Sequence, residues 1–150
     1  MSSTLTNLLY HIVFSTKNRE PIITKPIRAD LYKYIGGIIR GEGGTLLEIG
    51  GMPDHVHLVV RFKAEPSVAT MIKIIKSKSS KWLNEQAKRP GRFEWQRGYA
   101  AFTVSVSQLE NVRLYVRNQE QHHRRKTFQE ELRLLLEKHG VEYDERYLWT

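Results

Sequence analysis

Short apolar patterns whose period switches between two and 3.6 residues run along the chain. Over Leu8 to Ser15, Tyr10, Ile12 and Phe14 alternate with Leu9, His11 and Val13, which is the period of a strand. A helix follows, capped near Thr24 with Pro26 in its first turn, its apolar positions Ile27, Leu31, Ile35 and Ile38 at helical spacing. Gly41-Glu42-Gly43-Gly44 ends it. Two strands, Thr45 to Gly50 and His55 to Phe62, are joined through Gly51-Met52-Pro53-Asp54, a link of hairpin composition. Ser67 caps a long helix with the face Val68, Met71, Ile72, Ile75, Trp82 and Leu83, and Arg89-Pro90-Gly91-Arg92 breaks it. Ala100 to Val106 reads as a fourth strand. Ser107 and Glu110 form a capping box that opens a helix toward Arg125, and Thr127 and Glu130 form a second box for a last helix closed by Gly140. The order β-α-β-β-α-β followed by helices predicts an α+β fold. Its form is a ferredoxin-like, split β-α-β antiparallel sheet with helices on one face, plus C-terminal helices.

Length makes this one domain spanning residues 1–150, large enough for a single core. No apolar run approaches the roughly 20 residues that span a bilayer, and the N-terminus lacks the pattern of a signal peptide. With no cysteine, disulfides, thiolate chemistry and cysteine-ligated zinc are excluded. The expectation is a soluble, cytoplasmic protein without a membrane partner. The formal charge of +8 suits a polyanionic partner or a solubilising surface equally. From Phe128 onward lie three of the 24 basic residues and six of the 16 acidic ones, so the basic excess belongs to the body of the domain.

The candidate chemistry begins in the third strand. In His55-Val56-His57 both imidazoles project to one strand face, roughly 7 Å apart at the backbone, while Val56, Leu58, Val60 and Phe62 take the other. Two such rings can converge on a divalent ion, although an H-x-H pair is also common as plain structure. Tyr115 and Gln119 are one helical turn apart beside the apolar stripe of Leu109, Val112 and Val116. They read either as packing and solvated surface or as a nucleophile with an amide ligand, and spacing leaves both open. His122-His123 is set aside as a metal site because helix neighbours do not share a face. Lys73, Lys76, Lys78 and Lys81, interleaved with serines, and the arginines Arg113, Arg117, Arg124 and Arg125 with Lys126 form clusters able to meet phosphates. Phe93, Trp95, Tyr99 and Phe102 suit either base stacking or the core.

Taken together, these segments resemble the single-tyrosine HUH transposases of the insertion-sequence 200/605 type. The resemblance is carried by Tyr10-His11-Ile12-Val13-Phe14, Met52-Pro53-Asp54-His55-Val56-His57-Leu58 and Lys76-Ser77-Lys78-Ser79-Ser80. It continues in Trp95-Gln96-Arg97-Gly98-Tyr99 and Tyr115-Val116-Arg117-Asn118-Gln119. The resemblance implies a DNA transposase that cleaves and rejoins single-stranded DNA at imperfect hairpins through a 5′-phosphotyrosine. It implies Tyr115 as the catalytic nucleophile and His55, His57 and Gln119 as ligands of Mg²⁺ or Mn²⁺. The expected DNA contacts are Lys73, Lys76, Lys78, Lys81, Arg97, Arg113 and Arg117. It also implies a homodimer in which one subunit's tyrosine helix can complete the other's site. Two other readings stay open at this stage: a domesticated or inactive relative that grips hairpin nucleic acid without cutting, and a nuclease that uses water, with Tyr115 only structural.

Overall fold

The computed structural model describes residues 3–86 and 91–150. Its strands are β1 (Leu8–Ser15), β2 (Thr45–Met52), β3 (His55–Phe62) and β4 (Ala100–Thr103). Its helices are α1 (Lys25–Gly41), α2 (Val68–Gln86), α3 (Leu109–Arg117), α4 (Gln119–His122) and α5 (Phe128–Lys138), with single 3-10 turns at Lys17–Arg19 and Val106–Gln108. The strands form one antiparallel sheet in the order β2-β3-β1-β4, the split β-α-β arrangement that the element order predicts. Among the breaker residues foreseen at the end of α2, Arg89 and Pro90 lie outside the described residues.

Alternation divides β1 and β3 between two layers. Ile12, Phe14, Val56, Leu58 and Val60 join Leu31, Ile35, Ile75 and Leu83 of α1 and α2 in the main core. On the opposite face Val13 and Phe102 pack with Phe128, Leu132 and Leu136 of α5. The sheet is therefore covered on both sides, which is why β1 and β3 are buried along almost their whole length. Each fully buried aliphatic side chain contributes about 1.5–3 kcal/mol relative to exposure, and the C-terminal helices gain their place from this second, smaller core.

Two sequence expectations change in detail. β4 stops at Thr103 rather than Val106: the Val104 amide still donates to the Leu9 carbonyl, but β1 begins at Leu8 and offers almost no strand beyond. Val106 is left 66% exposed in a 3-10 turn. The Ser107 box does not form, because its hydroxyl pairs with that of Ser105 at 3.0 Å, and the helix expected to reach Arg125 is interrupted at Asn118. An asparagine readily leaves helical geometry by bonding locally. The Thr127 box does form, with the Glu130 amide donating to the Thr127 hydroxyl at 3.2 Å, and Gly140 takes the positive φ past the end of α5.

Candidate metal and tyrosine site

Strand alternation places His55 and His57 on the sheet face that α3, α4 and α5 cover, and both rings are fully buried. Their Nε2 atoms point the same way. His57 Nε2 lies 2.9 Å from Glu131 Oε1, and His55 Nε2 lies 3.3 Å from Gln119 Oε1 and 3.5 Å from Glu131 Oε1. His123 Nε2 joins them, 3.1 Å from Gln119 Oε1 and 3.2 Å from Glu131 Oε1. Neighbouring ligands of an octahedral ion bound at about 2.1 Å stand about 3 Å apart, so these separations suit a divalent cation. His55, His57 and Glu131 alone bring ligand atoms within 4.8 Å of one another.

The outer ring nitrogens are held as well. His55 Nδ1 sits 2.8 Å from Asp54 Oδ1, and His57 Nδ1 sits 2.8 Å from Nε2 of the buried His11. A carboxylate on Nδ1 fixes the tautomer that turns a lone pair on Nε2 toward a metal. Burial, with His57 alongside, pushes the His11 imidazole down to about 3, so it stays neutral and adds no charge beneath the cluster. Burial works to raise the Glu131 carboxyl, but hydrogen bonds from His123, His55 and His57 outweigh it and hold it far below the usual range. Glu131 is thus an anion, 2% exposed.

Tyr115 reaches the same cluster from α3. Its ring lies 5.9 Å from that of His57 and stacks on His122 at 4.5 Å, and its hydroxyl donates to Glu131 Oε2. The Gln119 amide donates to that same oxygen at 3.1 Å. Burial first, then the neighbouring Glu131 charge, raises the Tyr115 phenol well above its usual value. The approach of α3 depends on Gly50 of β2: a Cβ there would lie 2.1 Å from the Val116 carbonyl oxygen.

The four residues foreseen at the centre, His55, His57, Tyr115 and Gln119, come together. Glu131 and His123 were missed. His122 and His123 indeed face apart, but each finds its own use, one stacked on Tyr115 and the other turned into the cluster. The foreseen DNA contacts are scattered. Lys73, Lys78, Lys81 and Arg97 are exposed. Arg117 pairs with Glu48 at 2.9 Å and Arg113 with the same carboxylate at 3.4 Å. Lys76 turns inward, donating to the carbonyls of Gly98 at 2.7 Å, Gln96 at 2.9 Å and Arg97 at 3.3 Å. Phe93, Trp95 and Phe102 are core residues, so of the four aromatics only Tyr99 is open to solvent. Gln96 is a brace: its side chain accepts from the Ser15 amide at 2.6 Å and donates to the Thr150 carbonyl at 3.0 Å.

Residues 4–119 match the family described as IS200-like transposases. The chain belongs to that family. It is a transposase, an enzyme that cuts DNA. The ISDra2 transposase TnpA of Deinococcus radiodurans is 23% identical over 117 residues, covering 75% of this chain and 84% of that protein. The transposase for insertion sequence element IS200 of Salmonella typhimurium is 27% identical over 124 residues, covering 79% and 81%. A solved putative transposase from Deinococcus radiodurans shares the fold with a TM-score of 0.64 at 24% identity, over 79% of this chain and 95% of that one. A REP-associated tyrosine transposase, solved bound to a REP hairpin, shares it with a TM-score of 0.56 at 13% identity, over 77% and 70%. Among the described residues no helix is long and apolar enough to cross a membrane.

Proposed function

We propose that this transposase cleaves and rejoins single-stranded DNA at hairpin-marked ends through a 5′-phosphotyrosine on Tyr115, with Mg²⁺ or Mn²⁺ held by His55, His57 and Gln119. The observation that carries the reading is the meeting of Tyr115 with the Nε2 atoms of both histidines around one buried carboxylate. The donor set fits a divalent ion. Its imidazoles favour Mn²⁺ and its oxygens favour Mg²⁺. Such an ion would supply Lewis-acid polarisation of the scissile phosphate and offset negative charge on its oxygens.

The chain's own residues do the rest. α3 orients the phenol, and Glu131 Oε2 accepts from both its hydroxyl and the Gln119 amide. The phenolic oxygen forms a bond to phosphorus as the bond to the 3′-oxygen breaks, leaving a free 3′-hydroxyl. The phosphodiester's energy is kept in the protein–DNA bond, so another 3′-hydroxyl reseals the strand without ATP. The hairpin seen on the REP-associated relative supports a hairpin substrate here. The family resemblance supports a homodimer, each protomer of which carries a full set of site residues.

A labelled hairpin-bearing single strand incubated with the protein tests the reading on denaturing gels. Cleavage and a covalent adduct are expected with Mg²⁺ or Mn²⁺ and neither with EDTA. Binding without cleavage under all conditions would instead favour a hairpin-binding module.

A further inference from the structure

The buried carboxylate at the centre of the cluster lies twelve residues past Gln119, beyond the stretch that matches the family. We infer that Glu131 serves this site twice: Oε1 would join His55 and His57 in holding the metal, and Oε2 positions the Tyr115 hydroxyl. The inference rests on the reading of the site as a metal-dependent phosphotyrosine centre.

Its placement is built by the fold. Thr127 caps α5, Phe128 stacks flat on His55 with ring centroids 4.0 Å apart, and Leu132 enters the second core. Glu131 lies between these two anchors on the same helix face, so its carboxylate is driven into the cluster. There the two oxygens divide. Oε1 meets only histidine Nε2 atoms, those of His57, His123 and His55. Oε2 meets the Tyr115 hydroxyl and the Gln119 amide.

Charge points the same way. No lysine or arginine pairs with Glu131 among the described residues; its charge is met by imidazoles, a hydroxyl and an amide, a setting that also suits a bound cation. Two imidazoles, the Gln119 amide oxygen and one carboxylate are a fitting donor set for a dication. One carboxylate thus serves both the metal, through Oε1, and the nucleophile, through Oε2.

Mn²⁺ titration of the purified chain in the absence of DNA, by calorimetry and by thermal melting, tests this directly. Relative to the parent, Glu131→Gln and Glu131→Ala are expected to bind Mn²⁺ about tenfold or more weakly. Tyr115→Phe, which removes only the group held by Oε2, keeps its affinity. In EDTA Glu131→Gln melts lower than the parent, because it loses an anion that the surrounding hydrogen bonds hold. With Mn²⁺ the gap widens, because the parent gains more. A purely structural carboxylate would leave the gap unchanged, with Glu131→Gln gaining as much from Mn²⁺ as the parent. That result, unchanged Mn²⁺ affinity in Glu131→Gln, or no Mn²⁺ binding by the parent, would overturn the inference. Glu131-dependent Mn²⁺ binding without any covalent adduct would instead leave this inference standing and remove the strand-transfer reading.

Discussion

Asp54 Oδ1 stands 2.8 Å from His55 Nδ1, one residue along the chain at the mouth of the β2–β3 hairpin. The pair turns the other nitrogen of His55 inward, toward Gln119 and Glu131. Burial works to raise the Asp54 carboxyl, but its hydrogen bond and charge interaction with His55 win and lower it. The same contact, with Glu131, raises the His55 imidazole against burial. Asp54 is thus part of the site through its side chain, while its backbone carbonyl separately accepts from the Thr16 amide at 2.9 Å.

Removing only that side chain, in Asp54→Ala, should lower Mn²⁺ affinity by about 10–100-fold, the usual cost of losing a carboxylate behind a metal-bound histidine. Isothermal titration of the variant against the parent measures it. An unchanged affinity would mean that Asp54 does not set the His55 tautomer.

Gly50 controls how close α3 comes to the sheet. In Gly50→Ala the new methyl meets the Val116 carbonyl oxygen, a backbone atom next to Tyr115, so the helix or the strand must shift. The expected cost is about 1–3 kcal/mol of stability, the range for forcing an extra methyl into a packed region. Adduct formation should fall further than hairpin binding. Melting curves, gel assays and filter binding on one preparation separate the three quantities, and equal losses of binding and adduct would contradict the account.

Lys76 holds three carbonyls together rather than facing solvent, and its ammonium lies 5.0 Å from the centre of the Phe14 ring. Lys76→Met should therefore lower stability while leaving the salt dependence of DNA binding unchanged. Lys73→Ala and Lys81→Ala should each reduce the salt slope by about 0.7 if those exposed groups meet phosphates. Burial also lowers the Lys76 amine from 10.5 to about 8. Between those two pH values the unfolded chain keeps a proton that the folded chain has released, so this group makes stability rise with pH across that window. Denaturant melts of parent and Lys76→Met from pH 7.5 to 10.5 should show a shallower rise in the variant. Parallel curves would refute the assignment.

Much of this was legible in the sequence. Strict alternation in His55 to Phe62 told which face the histidines share. The spacing of Tyr115 and Gln119 predicted neighbours on one helix, whereas the break at Asn118 puts them on α3 and α4 and the shared Glu131 carboxylate brings them together. The limits of β4 were not legible, because they depend on where β1 begins. Nor was the inward turn of Lys76, since a lysine among serines reads as solvated. Glu131 escaped because the acidic tail around it reads as surface and the Thr127 box draws the eye to Glu130. One signal was present: Glu131 falls on the apolar stripe of Phe128, Leu132 and Leu135, where a carboxylate has no business unless something receives it. His123 was not legible because adjacent helix positions face apart, and only the turn of the chain after Asn118 shows which of the two rings enters the cluster.

Peptide mapping of the covalent adduct tests the central claim most directly. After reaction with a hairpin-bearing single strand and Mn²⁺, nuclease trimming and proteolysis, mass spectrometry should find the nucleotide remnant on the peptide containing Tyr115. None should appear on the other six tyrosines. Tyr115→Phe should bind the same DNA and yield no adduct. A remnant on any other residue, or an adduct formed by Tyr115→Phe, would contradict the account.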